Sequence, residues 1–167
     1  MINLTAIKVI SIIGSLYGVA HLVNQTIQKN RGLSLARSLS ADKGIINLGA
    51  GCSRTGFAEA VCELPEVIYN VDLSAECQKC MIVNLEKAPL PFTDNQFDVA
   101  FASHVLEHLI NWEQALDEWT RIADHVVIVL PNPLSISGWL YLEHKQHFSF
   151  SDMNYIRELW SNVEVFA

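Results

Sequence analysis

Apolar and polar positions divide the chain into two unlike parts. From Ala6 to Val23 the chain is nearly all apolar, broken only by Lys8, two serines, two glycines and His21. As a helix, this stretch spans about 27 Å, just short of a hydrocarbon core of about 30 Å. On a helical wheel Ile10, Ile13, Leu16, Tyr17, Val19, Ala20 and Val23 share one broad side, opposite Ser11, Gly14, Ser15 and Gly18. Gly14 and Gly18 form a GxxxG, a helix-contact pattern in lipid. Three readings stay open: a single membrane anchor, an interfacial helix or monotopic lid, and a helix packed on the domain's own core. No small-x-small cleavage site precedes Gln25, so a cleaved signal peptide is not expected. If the segment spans, Lys29, Arg31, Arg37 and Lys43 place the rest on the cytoplasmic side. The expected organisation is therefore a hydrophobic N-terminal helix within residues 1–27 and a body over residues 28–167.

From Gly44 onward, short apolar runs alternate with segments of helical period. Strands are expected at 44–48, 66–71, 81–83, 97–102, 125–130 and 163–166, each bounded by glycine, proline or polar residues. Helices are expected at 54–63, 74–79, 111–122 and 151–160; the third carries Trp112, Ala115, Leu116 and Trp119 at helical spacing. Near-continuous apolar strands between helices predict an α/β fold, a Rossmann-like doubly wound, mostly parallel sheet covered on both faces.

Charge sharpens this division. The 167 residues carry a net charge of −7, but residues 1–43 hold five Lys/Arg against one acid, a balance of +4. The remainder is strongly acidic. A basic, apolar head on an acidic body suits a chain that meets a membrane at its N-terminus. The acidic body excludes nonspecific nucleic-acid binding, which needs a basic face. Length, 50% hydrophobic residues and a mean hydropathy of +0.22 exclude disorder and fit one domain with a real core. Four cysteines make no disulfide framework in a chain of this size. Cys77 and Cys80 have CxxC spacing without a second pair, so reduced thiols in a cytoplasmic domain are expected.

The residues with chemistry cluster at strand ends. Asn47-Leu-Gly49-Ala-Gly51-Cys-Ser53 sits where the first strand meets the first body helix. Glycines there let backbone approach a ligand, and the helix start offers free N–H groups. Asp72 ends the next strand, and a carboxylate there can accept two hydrogen bonds from a ribose diol. A dinucleotide fingerprint needs GxGxxG, and Arg54 breaks it at the sixth position.

With these features the sequence resembles the class I S-adenosylmethionine (SAM)-dependent methyltransferases, in particular the small ubiquinone/menaquinone-biosynthesis-like type. The resemblance runs from about Gly44 to Phe148. It is carried by Ile45-Ile-Asn-Leu-Gly-Ala-Gly51, Asn70-Val-Asp-Leu-Ser74, Leu90-Pro-Phe-Thr-Asp-Asn-Gln-Phe-Asp98 and Ser103-His-Val-Leu-Glu-His-Leu109. It implies SAM as the cofactor. Gly49 and Gly51 would lie under its methionine part. Asp72 would hold the ribose hydroxyls, with Leu73 against the adenine and Asn84, Leu85 and Glu86 at the adenine edge. Ser103 and His104 would sit near the sulfonium and methyl group.

Two departures stand out. The family usually has an acid where Asn47 stands and often a third glycine where Ser53 stands; Asn47 can still orient the loop or the SAM amino group, without a charge. The family sheet normally has seven strands, and this chain shows six, so a six-stranded sheet or a partner at the exposed edge is expected.

Methyl transfer is an in-line displacement that needs alignment and exclusion of water. A base is needed only when the acceptor loses a proton. His104, at the mouth of the expected pocket, is the candidate base or acceptor-positioning group. Glu143-His144-Lys-Gln-His147-Phe148 resembles a stretch that closes over the substrate in related enzymes, which makes His144 and His147 candidate substrate residues; the alternative is a polar loop ending in a helix cap at Ser151. His104 and His108 have i,i+4 metal spacing, but no third ligand is evident, so no metal is expected. Pro131-Asn-Pro133 follows the fifth strand rather than the fourth and reads as a strand end, not as an amino-methylating motif for nucleic acid. Trp139 to Leu142 form an apolar patch that lines an acceptor pocket, docks on lipid or faces the core.

The expected function is methyl transfer from SAM to a small-molecule or lipid-like acceptor, by a cytoplasmic chain that membrane contact through residues 6–23 would tether. The alternatives are a non-catalytic SAM-binding or scaffold protein and a nucleotide-dependent oxidoreductase, the latter disfavoured by the broken fingerprint.

Overall fold

The computed structural model describes residues 4–51, 56–74, 80–135 and 141–167, with side chains from residue 14 onward. Four α-helices are described, α1 (Leu4–Leu39), α2 (Phe57–Cys62), α3 (Trp112–Ile122) and α4 (Phe150–Leu159), and one 3-10 turn at Leu106–His108. The strands are β1 (Ile45–Leu48), β2 (Val67–Asp72), β3 (Cys80–Ile82), β4 (Phe97–Ser103), β5 (Ala123–Val129) and β6 (Val163–Phe166). They form one six-stranded sheet in the order β3-β2-β1-β4-β5-β6. Every described pairing is parallel. The order reverses between β1 and β4, and the crevice at the carboxyl ends of these strands is where such folds bind ligands.

Continuous apolar strands arise because both faces of the sheet are covered. Successive side chains point to opposite faces. Ile46, Leu48, Ala100, Ala102, Val126 and Ile128 pack in one core with α3 and α4, around a Trp119 that is 0% exposed. Ile45, Val99, Phe101, Val127 and Val129 pack in the other, with Ala36, Leu33, Leu39 and Phe57. Fully burying a side chain such as Phe101 contributes about 2 kcal/mol.

The second core identifies what the C-terminal half of α1 does. The helix runs unbroken across residue 27 and lays its last turns on β4, β5 and β6. Gly32 allows this close approach, since a Cβ there would lie 2.8 Å from Val129 Cγ2. Further up, the Tyr17 hydroxyl donates to the Leu134 carbonyl at 2.6 Å, and His21 Nε2 lies 3.1 Å from Ser135 Oγ. The helix is thus tied to the turn after β5. Pro131 and Pro133 lie in that turn, beyond the end of β5. Leu16, Val19, Leu22 and Val23 remain exposed. Among the described residues no helix is long and apolar enough to cross a membrane. The candidate span over 6–23 falls partly on residues 6–13, whose side chains lie outside that description.

After α1, Asp98 organises the entry to the sheet. Its Oδ2 accepts the backbone N–H groups of Ala41, Lys43 and Gly44 at 2.6, 2.9 and 2.9 Å. Gly44 has φ +71, and a Cβ there would meet Ile68 Cδ1 at 2.5 Å. The loop before β4 is held in turn by Glu118 and Arg121. Glu118 Oε1 accepts the Leu90 N–H at 2.6 Å, and Arg121 reaches Glu118 and Asp94.

Several expectations are corrected. The last helix starts at Phe150, and its cap is Ser149 rather than Ser151: Ser149 Oγ accepts the Asp152 N–H while the Asp152 carboxylate accepts the Ser149 N–H. β5 starts two residues early because Ala123 pairs with Phe97 at the sheet's lower edge. Cys62 and Cys80 are disulfide-bonded, not reduced thiols. The expected helix over 74–79 falls mainly on residues 75–79, and the Trp139-Leu140 part of the apolar patch on 136–140, all outside the described residues.

Candidate active site

The carboxyl ends of β1, β2 and β4 open into a cleft of about 630 Å³, within the size range of small-molecule and cofactor sites. The β1–α2 loop forms its floor. Gly49 adopts φ +64, and a Cβ there would lie 2.3 Å from Val105 Cγ2. Only glycine lets this loop press against the segment after β4. Gly51, at φ +54, has open space where its side chain would be. Its N–H donates to Asp72 Oδ2 at 2.7 Å. Asp72 Oδ1 accepts the Ser74 N–H at 3.3 Å. The carboxylate is therefore fixed by the backbone on both oxygens, and each oxygen keeps accepting capacity for a ligand hydroxyl.

The sequence-predicted cofactor residues Asn47, Gly49, Gly51, Asp72, Leu73, Asn84, Leu85 and Ser103 all line this one cleft. Leu73 is 68% exposed at its lip, while Leu85 is buried in its wall. Asn84 Oδ1 accepts the Glu86 N–H at 2.9 Å, and Glu86 Oε1 accepts the Ile110 N–H at 2.7 Å. Residues 84–86 are thereby joined to the segment after β4. Asn47 is buried, and its Nδ2 donates to Asn70 Oδ1 at 2.9 Å. Asn70 is its register partner on β2. A neutral cross-strand amide contact thus occupies the position where the family usually has an acid.

His104 follows β4 with φ +58, a left-handed conformation uncommon outside glycine. Its N–H donates to the Val129 carbonyl at 2.8 Å. Its ring lines the cleft with Nδ1 3.3 Å from Glu107 Oε1. His144 does not line this cleft. It packs against His108, ring centroids 4.9 Å apart, with Nε2 4.0 Å from the same Glu107 oxygen. The exposed His147 lines, with His144, a second cavity of about 20 Å³.

Two residues in this region were not among the candidate site residues of the sequence. Lys29, from α1, is the one lysine or arginine among the described residues lining the cleft. Its ammonium sits 5.7 Å from the centroid of the Phe57 ring. Burial pushes its pKa below the usual lysine value, and the Glu107 charge partly offsets that. No local pattern could reveal Lys29, because α1 reaches the cleft only through tertiary packing. Glu107 is 1% exposed between the histidines of the HVLEHL motif, and that buried acid between histidines was the available signal.

A family model described as a methyltransferase domain matches residues 48–125. No curated protein matches the chain in sequence. Among solved structures, the chain is similar to a SAM-dependent methyltransferase from Archaeoglobus fulgidus, at 18% identity and TM-score 0.59. That match covers 86% of this chain and 72% of the other. It is likewise similar to a SAM-dependent methyltransferase of Thermotoga maritima described as a possible histamine N-methyltransferase. There the identity is 19% and the TM-score 0.58, covering 86% and 75% of the two chains. These likenesses establish the fold, and the family match spans the β1 loop, Asp72 and the segment after β4. Residues 48–125 thus match a methyltransferase-domain model, on a fold that the chain shares with SAM-dependent methyltransferases.

Proposed function

We propose that the chain transfers a methyl group from SAM to a small-molecule acceptor, and that Asp72, Lys29 and His104 divide the work. SAM supplies an electrophilic methyl on a sulfonium. The observation that carries the reading is Asp72, fixed by Gly51 and Ser74 at the rim of a cleft floored by two left-handed glycines. Asp72 accepts the ribose hydroxyls. Lys29, cationic and half-buried in the same cleft, answers the methionine carboxylate. Ser103 and His104 border the acceptor side. His104 Nδ1 lies 3.3 Å from Glu107 Oε1, and the ring, lining the cleft, positions an acceptor or takes its proton. A lipid-like acceptor is supported by Leu16, Val19, Leu22 and Val23, exposed on the helix that also delivers Lys29 to the cleft.

The test is calorimetric titration of the full chain with SAM beside Asp72→Ala and Lys29→Ala. Saturable binding by the wild type, weakened roughly tenfold to a hundredfold in Asp72→Ala, is the expected result. A folded wild-type chain that binds no SAM would sink the proposal. A second reading, SAM binding without turnover, is favoured by the Asn47–Asn70 amide contact, which leaves no charge where the family has an acid. Binding with no methyl transfer across hydroxyl, amine and carbon acceptors would select it.

A further inference from the structure

One group in this region is unexplained by cofactor binding. Glu107 is 1% exposed, and neither carboxylate oxygen has a hydrogen-bond partner. A buried carboxylate in that state is costly, and such groups are retained where they are paired or coordinate a metal. Its Oε1 lies 3.3 Å from His104 Nδ1, without a hydrogen bond, and 4.0 Å from His144 Nε2. One donor atom from each of Glu107, His108 and His144 lies within 4.8 Å of the others.

The surroundings orient these donors. His108 Nδ1 lies 3.2 Å from the Glu143 carbonyl oxygen. A carbonyl only accepts, so Nδ1 carries the hydrogen and Nε2 keeps the lone pair a metal needs. The Glu107 carbonyl accepts the N–H groups of Lys145 and Gln146 at 2.7 and 3.0 Å. The backbone of one ligand residue thus holds the loop that delivers another, His144. Donors about 2.1 Å from a zinc ion sit roughly 3.4 Å apart in a tetrahedron. Side-chain shifts on the order of an ångström reach that spacing from the observed one.

We propose that Glu107, His108 and His144 form a binding site for a divalent transition-metal ion. Two imidazoles and one carboxylate suit zinc or ferrous iron better than magnesium or calcium, which prefer all-oxygen sets. The site lies between the cofactor cleft, which His108 lines, and the smaller cavity lined by Glu107 and His144. The sequence shows i,i+4 spacing for His104 and His108 and no third ligand, so no metal is expected from it; here His108 is joined instead by His144, 36 residues away, and Glu107.

The test uses the full chain stripped with a chelator and titrated with Co(II) alone, followed by the visible ligand-field bands, with Zn(II) as competitor. The expected result is one saturating equivalent displaced by Zn(II). Affinity falls more than roughly tenfold in Glu107→Gln and in His144→Gln, while His125→Gln, an exposed β5 position, binds as the wild type. Circular dichroism in chelator establishes that each variant is folded; if one is not, His108→Gln takes its place. A wild-type chain that binds neither ion stoichiometrically overturns the proposal whatever the variants do. So does undiminished binding by the folded variants, or a thiolate charge-transfer band, which would assign the ion to cysteine. None of these readouts involves methyl transfer, so the proposal fails or stands separately from the proposed reaction.

Discussion

Two pairs of carboxylates at opposite ends of one sheet are treated in opposite ways. At the amino ends of the strands, Asp98 and Glu118 are buried, and backbone N–H groups or Arg121 occupy them. At the carboxyl ends, Asp72 is held by two N–H groups yet opens on the cleft, and Glu107 is buried with no hydrogen-bond partner. The same chemical group therefore closes the fold at one end and stays available at the other. In a parallel sheet this polarity is expected: ligands collect at the carboxyl ends of the strands, at the reversal of strand order. A buried acid whose oxygens accept hydrogen bonds is a structural tie; one left without them beside imidazoles is poised for something else.

The sharpest way to break this contrast is Asp98→Ala. It strands the N–H groups of Ala41, Lys43 and Gly44 at once and frees the connection from α1 to β1. A stability loss of roughly 3–5 kcal/mol is expected in urea unfolding. A loss below about 1 kcal/mol would show that Asp98 is no tie.

Glu118→Gln tests the same end through pH. The hydrogen bond from Arg121 holds the Glu118 carboxyl below its ordinary value near 4.5, with the Leu90 N–H adding to the effect. A depressed folded pKa means stability that is fully present above the unfolded value and lost as pH falls through the folded one. The wild type should therefore lose stability below about pH 4.5 more steeply than Glu118→Gln, and the variant should be weaker by about 2 kcal/mol at neutral pH. Parallel acid-unfolding curves would remove Glu118 from the tie.

At the other end Asp72→Ala separates function from stability. It leaves the Gly51 and Ser74 N–H groups at a wet cleft, where water can replace the carboxylate, so a stability loss of about 1 kcal/mol is expected. SAM affinity carries the larger effect. A variant that unfolds but binds normally would invert the comparison.

Much of this layout was legible in the chain. β6 runs over 163–166 as expected, and β1, β2, β3 and β4 lie within one residue at each end, because doubly covered strands read as uninterrupted apolar runs. The candidate cofactor residues converge on one cleft because strand-end loops are local in sequence and the parallel topology gathers them. What was not legible is whatever depends on distant packing. Lys29 enters from a helix whose other end suggested lipid. His144 reaches Glu107 through a backbone clasp across 38 and 39 residues, Lys145 and Gln146 to Glu107. The three N–H groups on Asp98 come from a connection that has no side-chain pattern of its own.

The smallest expected effect is the most telling. Glu107→Gln in chelator removes a buried charge that has no hydrogen-bond partner and substitutes an amide of similar volume. The gain from losing the desolvated charge is set against an amide that must find its own partners, so the net change in stability is expected within about 1 kcal/mol, of either sign. Asp98→Asn supplies the control, since its amide leaves fewer acceptor sites for three N–H donors and its loss should be clearly larger. Equal losses in the two variants, measured by urea unfolding under the same conditions, would mean that Glu107 supports the fold as Asp98 does. A loss confined to Asp98→Asn leaves Glu107 as a group the fold does not need in its charged form, and its retention is then explained by what binds beside it.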